Sequence, residues 1–196
     1  MIDASFEVVN MIGGGKLPAE LALDPLAEDL TGKAWRTNPN QPGLYHRFEE
    51  DGPLTTFYTS GKYIIRAPNE DKLYETDDAI KAEIARLGII PDKDADTGFN
   101  IHNVVANGKL YEDEPDENGE KVLRKLDLVY LTEALGLKYC LYDPESFPSL
   151  TVRRPEFPCT FLLFATGRAV ITGGNEVEES RKAWGELIEE LEEWGC

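Results

Sequence analysis

Cysteine, methionine and histidine are scarce in this chain: three, two and two among 196 residues. Cys140, Cys159 and Cys196 stand at wide, unmatched spacing, which suggests neither a disulfide framework nor a cysteine zinc site. Reduced thiols fit a cytoplasmic location. Long apolar runs are missing too. The longest, 161–165, is far too short to span a bilayer. The opening MIDASFEVVN has an acid at position 3 and neither a basic nor an apolar leader region, so it does not read as a secretory signal. His46 and His102 sit in no Ser, Cys or Asp constellation. IGGGKL (12–17) lacks the G-x-x-x-x-G-K-[ST] spacing of a phosphate loop. Asp92, Asp94 and Asp96 start like a calcium loop, but Thr97 replaces the glycine at its sixth position and Asn103 the glutamate at its twelfth. No enzymatic activity, cofactor or metal is expected.

Basic residues are the shortage with the largest consequence. Twenty lysines and arginines face 37 acids, a net charge of −17, with the charges spread along the chain rather than gathered in a tail. Such a balance normally argues against a nucleic-acid partner. It reads first as a salt-adapted surface, with a basic protein partner or DNA mimicry as alternatives.

What is present is a repetition. FEVVNMIGGGKL (6–17) and FNIHNVVANGKL (99–110) align without a gap, 93 residues apart from Asn10 to Asn103. Such repeats organise everything downstream of them. The first half reads as a strand (6–14), a short helix near 25–30 and strands near 33–37, 43–48, 54–59 and 62–67. A helix follows at about 73–87 with Leu73, Ile80, Ile84 and Leu87 on one face. The second half repeats the order: a strand, a helix at 125–136, strand-like runs LKYCLY, SLTVRR, CTFLLFA and AVITGG, and an amphipathic helix over 176–194. Each half is βαββββα, with repeats at 1–91 and 99–196 joined by the acidic linker 92–98. EDEPDENGE (112–120) is a charged insertion in the second half only.

Strand periodicity then exposes an oddity. Phe161 and Leu163 share one face of their strand, and Leu162 and Phe164 share the other. Helices can cover only one side of the sheet. The uncovered side displays Val105, Leu162, Phe164 and Val170 among Asn103, Asn107, Arg168 and Thr172. Apolar patches set with polar groups mark binding surfaces, unless a second layer or a dimer buries them.

At these residues the chain resembles the TATA-box-binding protein family. Asn103-Val-Val, KLDL, YDPESFPSLTVRR and FLLFATGRAVITGG carry the likeness, strongly over 99–195 and weakly over 6–88. The acidic composition and VITGG are similar to the halophilic archaeal branch. The resemblance implies an α+β fold: two pseudo-symmetric repeats forming a saddle-shaped antiparallel sheet with helices on its convex face. It also implies a transcription-initiation role, binding A·T-rich double-stranded DNA through the minor groove and recruiting transcription factor B. Asn10 and Asn103 would sit near the centre of the site, with Val105, Leu162 and Val170 on the groove floor. Phe147 and Phe164 match the pair that the family wedges into a base step. Arg153, Arg168 and Lys62, with Arg47 as a further candidate, match phosphate-contact positions at strand ends. Asp143 and Glu145, with Ser146 where leucine is usual, match the stirrup that grips transcription factor B.

The first half departs from that pattern. Gln41-Pro42-Gly43-Leu44 stands where the second half has Phe147-Pro148-Ser149-Leu150. Thr56 and Tyr58 replace Leu162 and Phe164, and Thr172 is replaced by Arg66, which could reach a phosphate or the groove or equally pair with an acidic partner. Ile12 is conservative for Val105, and Ile64 for Val170. The first half is therefore expected to kink DNA poorly. A saddle that has lost DNA binding and works as a protein-interaction module, or a homodimer when free, remains the alternative.

Overall fold

The computed structural model describes residues 2–38 and 42–195. Gln41 and Cys196 lie outside them. The element order is the one read from the repeat. The first half comprises β1 (Asp3–Lys16), α1 (Leu23–Asp29), β2 (Lys33–Trp35), β3 (Gly43–Arg47), β4 (Leu54–Tyr58), β5 (Lys62–Ala67) and α2 (Glu70–Arg86). The second comprises β6 (Asn100–Tyr111), α3 (Leu128–Leu135), β7 (Cys140–Tyr142), β8 (Ser149–Val152), β9 (Thr160–Phe164), β10 (Arg168–Gly174) and α4 (Val177–Glu193).

Differences from the periodicity are confined to element ends. Helix α2 begins at Glu70 rather than near 73, because the Asn69 side chain accepts from Lys72 N at 2.9 Å and caps the first turn. Helix α3 begins at Leu128 rather than 125. Asp127 caps it, and Leu126 N is drawn instead to Ala165 O. The 112–120 insertion is a hairpin extension, closed by the Tyr111–Leu123 bridge and an Asp116 turn at Gly119.

The chain divides into two compact units, 10–102 and the first nine residues with 103 onward. In the 10–102 unit the strands run β2-β3-β4-β5-β1, all antiparallel. Leu44, Phe57, Tyr63 and Ile65 turn to one side and meet Leu73, Ile80 and Ile84 of α2 in the core. Glu83 of α2 takes the Thr31 amide at 2.7 Å, and His46 Nε2 lies 2.7 Å from Thr31 O. The Arg86 guanidinium holds the Glu83 carboxyl down at about 2.

In the other unit the order is β6-β10-β9-β8-β7. Phe161, Leu163, Ile171 and Ala106 meet Leu131, Trp184, Leu187 and Leu191, and Ala4, Phe6 and Val8 of β1 pack against the same cluster. The Trp184 indole N–H donates to Ser5 O at 3.1 Å.

The two cores solve one problem differently. Gly15 and Gly108 are repeat mates, and a side chain at either would collide with a ring. At Gly108 a Cβ would lie 2.7 Å from Trp184 Cζ2; at Gly15, 2.6 Å from the Tyr63 hydroxyl. One unit fills the space with an indole from its helix. The other fills it with a phenol from its strand, whose hydroxyl donates to buried Asp77, itself paired with Lys81 at 2.9 Å. Burial first, and then Asp77, push the Tyr63 hydroxyl far above the ordinary phenol range.

Candidate nucleic-acid interface

Each unit leaves one side of its sheet uncovered by helices. In the second-repeat unit, register aligns Thr151, Leu162, Val170 and Asn107 as a row across four strands. Leu162, Phe164, Val170, Thr172, Asn103 and Val105 are half-buried on this side, and Asn107, Arg153 and Arg168 are exposed. Phe147 stands 53% exposed, its ring edge-to-face with Phe164 at 6.1 Å between centroids. The two rings form one apolar prominence. In the 10–102 unit the corresponding row is Tyr45, Thr56, Ile64 and Gly14, beside a second row of Leu54, Arg66 and Ile12. Tyr58, Ile64, Arg66, Ile12 and Asn10 are half-buried and Lys62 is exposed. Trp35 and Tyr45 make an aromatic pair, centroids 5.8 Å apart, with the Lys33 ammonium 5.7 Å from the Trp35 ring centre.

The electrostatics of these sides reverse those of the chain. The ten strands carry seven lysines and arginines: Lys16, Lys33, Arg47, Lys62, Arg66, Lys109 and Arg168. They carry two acids, Asp3 and Glu7, both at the start of β1, and Asp3 is paired with Lys121. The strands thus sum to +5 (7 − 2), and everything else to −22 (13 basic against 35 acidic). Strand alternation and register put all seven cations on the open sides, and none forms an ion pair among the described residues. Cations elsewhere are mostly neutralised, as Arg86 by Glu83 and Arg154 by Glu190. The even charge distribution expected from the sequence therefore holds along the chain but not in space. Desolvating an unpaired guanidinium or ammonium is costly, so cations kept free on an apolar sheet face suit an anionic ligand.

Asn103 is pre-set for donation. Its Oδ1 accepts from Gly173 N at 2.7 Å and lies 3.3 Å from Thr172 Oγ1. A backbone N–H can only donate, so this contact fixes the amide orientation and leaves Nδ2, with its two N–H groups, without a hydrogen-bond partner among the described residues. The device depends on an irregularity between Ile171 and Gly174, where Gly173 adopts φ 90°. In the other repeat Met11 pairs regularly with Ala67, and no hydrogen bond holds the Asn10 amide among the described residues. Asn103→Asp keeps the contact to Gly173 but removes the Nδ2 donor. Under the DNA-binding expectation that the family resemblance implies, this variant's affinity for an A·T-rich duplex is expected to fall about tenfold, or ~1.4 kcal/mol. Unchanged anisotropy titrations would remove Asn103 from the interface.

At the 143–147 turn, Asp143 O accepts from Ser146 N and Phe147 N, and the Asp143 carboxylate accepts from Ser146 Oγ at 2.7 Å. Asp143 and Ser146 thus shape the turn that lifts Phe147, while Glu145 is exposed. His46 is wholly buried and belongs to the core. Burial pushes the Cys159 thiol up to about 11, leaving it unreactive. Among the described residues no cluster of His, Cys, Asp or Glu is placed to hold a metal, and no helix is long and apolar enough to cross a membrane.

An internally repeated α+β protein with two open, acid-poor sheet faces and a paired aromatic prominence is the class these features define. A family model for "Transcription factor TFIID (or TATA-binding protein, TBP)" matches residues 5–87 and 98–194. TATA-box-binding protein C of Halobacterium salinarum is 38% identical over 180 residues, 91% of this chain and 92% of that one. TATA-box-binding protein 2 of Haloferax volcanii is 29% identical over 192 residues, 97% and 95% of the two chains. The structure of Methanococcus jannaschii TBP superposes with a TM-score of 0.71 and 23% identity, over 96% of this chain and 99% of that one. The chain belongs to the TATA-binding-protein family, a family of transcription factors and not of enzymes.

Two features escaped the sequence reading. The near absence of acids from every strand was visible as text, once strand boundaries were applied to the charge count. The Asn103 lock was signalled only by the Gly173-Gly174 pair, where the first repeat has Ala67-Pro68.

Proposed function

We propose that this protein is a DNA-binding general transcription factor of the cytoplasm that recognises A·T-rich promoter DNA through the minor groove and recruits transcription factor B. The observation that supports it is the charge sorting: in a chain of −17, the open faces hold the unpaired cations and nearly no acid. The residue types suit the ligand. At A·T pairs the minor groove offers only acceptors, A N3 and T O2, while G·C adds an amino group. Asn103 Nδ2 donates to such acceptors. Val105, Leu162 and Val170 pack on the groove floor and leave no room for the guanine amino group. Phe147 and Phe164 supply a base-step wedge, and Arg153, Arg168 and Lys62 reach phosphates. Ile12, Ile64, Tyr58, Arg66, Asn10, Asn107 and Thr172 complete the surface. Exposed Glu145, on the turn shaped by Asp143 and Ser146, is the contact offered to transcription factor B.

Net repulsion from DNA is handled by salt. At about 1 M the Debye length is about 3 Å, so the acidic helices are screened from the duplex while apolar packing persists. Affinity for a duplex with an A·T-rich eight-base-pair element, relative to a G·C control, is expected to stay flat or rise from roughly 0.1 M to above 1 M KCl. A steep monotonic loss in fluorescence anisotropy would sink the salt argument. Absence of A·T selectivity at every salt concentration would sink the function.

The interaction-module reading draws on one observation, the altered open face of the 10–102 unit, where Thr56, Tyr58 and Arg66 stand in place of Leu162, Phe164 and Thr172. Capture of transcription factor B without DNA, combined with no duplex binding, would favour it.

A further inference from the structure

The open face of the 10–102 unit has neither a counterpart of Phe147 among the described residues nor one of Leu162, and its most conspicuous substitution is Arg66 for Thr172. Arg66 lies between Ile12 of β1 and Leu54 of β4 in register, with Ile64 two residues before it on the same side. Its only polar contact among the described residues is a long one, Nη1 to Thr56 Oγ1 at 3.4 Å. No acid pairs with it. Lys62 and Lys16 face each other further along the same two strands. A half-buried guanidinium among aliphatic groups, beside further cations, is held against its own solvation and needs a concentrated negative potential.

Resting on the proposed DNA-binding function, we infer that Arg66 is a specificity-determining residue that enters the minor groove of an unkinked half-site. A-tracts are stiff, and their narrow minor groove carries the enhanced negative potential that attracts inserted arginine. A wedge needs the opposite property, a flexible pyrimidine–purine step that unstacks cheaply. The two repeats therefore select different DNA mechanics. The Phe147/Phe164 half favours a deformable step, and the Arg66 half favours a rigid, narrow groove. Arg66 discriminates between sequences of identical A·T content, which the acceptor pattern of the groove floor cannot do.

Two duplexes of equal A·T content test this, one with alternating T-A steps in both half-sites and one with an A-tract replacing one of them. Anisotropy is read at the KCl concentration where the wild type binds best. The wild type is expected to prefer the A-tract duplex by about tenfold. Arg66→Thr, which installs the residue of the other repeat, is expected to erase the A-tract preference, with an unchanged melting curve showing that the fold is intact. Arg66→Lys is expected to lose most of it, because ammonium is a compact and more strongly hydrated charge. A·T selectivity without A-tract preference in the wild type, or a preference that survives Arg66→Thr, overturns this inference alone. No A·T selectivity at all overturns it together with the proposed function.

Discussion

On the proposed DNA-binding function, Phe164→Ala is expected to abolish most of the bend in a bound A·T-rich duplex and to lower affinity about thirtyfold. Separating two stacked base pairs costs a few kcal/mol, and the cost is offset only if flat apolar surface replaces the lost stacking. Phe164 and Phe147 meet edge-to-face and present that surface together, so removing Phe164 also leaves Phe147 without its lateral support. A loss of ~2 kcal/mol corresponds to about thirtyfold. Phe164 lies outside the buried cluster of its unit, so the fold is expected to remain intact. Fluorescence energy transfer between the duplex ends reads the bend. Tyr58→Ala, at the equivalent place in the other repeat, serves as the control and is expected to change it little. Equal losses from the two variants would contradict the asymmetry between repeats.

Trp184→Ala is expected to destabilise its unit by ~3–5 kcal/mol, as truncation of a fully buried tryptophan does. The indole fills the space above Gly108, lies 5.9 Å from the Phe161 ring, and donates to the carbonyl of Ser5. Alanine would leave a cavity and remove the indole donor from a part-buried carbonyl at once. At ~2–4 °C per kcal/mol for a chain of this size, the melting temperature in molar KCl is expected to fall by about 10 °C. Trp184→Phe restores ring volume without the N–H and is expected to recover more than half of the loss. A shift under about 3 °C for the alanine variant would mean that the unit repacks around the gap.

The βαββββα order, both long helices and the sidedness of β9 and β10 were legible in the sequence because each rests on local periodicity. Leu162 and Phe164 could be assigned to the open face from alternation alone. Helix starts were less legible: Asn69 and Asp127 set them through side-chain contacts to backbone N–H groups, which leave no hydrophobic period. The site was legible in its residue types and not in its electrostatics. Counting charge along the chain averages strands with loops, whereas alternation and register put Lys33, Arg47, Lys62 and Arg66 on one side of one sheet. The rings of Tyr63 and Trp184 fill equivalent space from different elements, an exchange that a gapless repeat alignment cannot represent.

The bond between Trp184 and Ser5 joins residues 179 positions apart. The 10–102 unit is continuous in sequence and is complete once its last residue has left the ribosome. The other unit joins the segment before residue 10 to residues from 103 onward, since Ala4, Phe6 and Val8 pack against the cluster that includes Trp184, Leu187 and Leu191 of α4. During synthesis, those first residues must wait with their apolar side chains unshielded while the rest of the chain emerges, at about 5–20 residues per second. Closing that long loop is expected to make this unit, which carries the Phe147–Phe164 pair, the later of the two to fold.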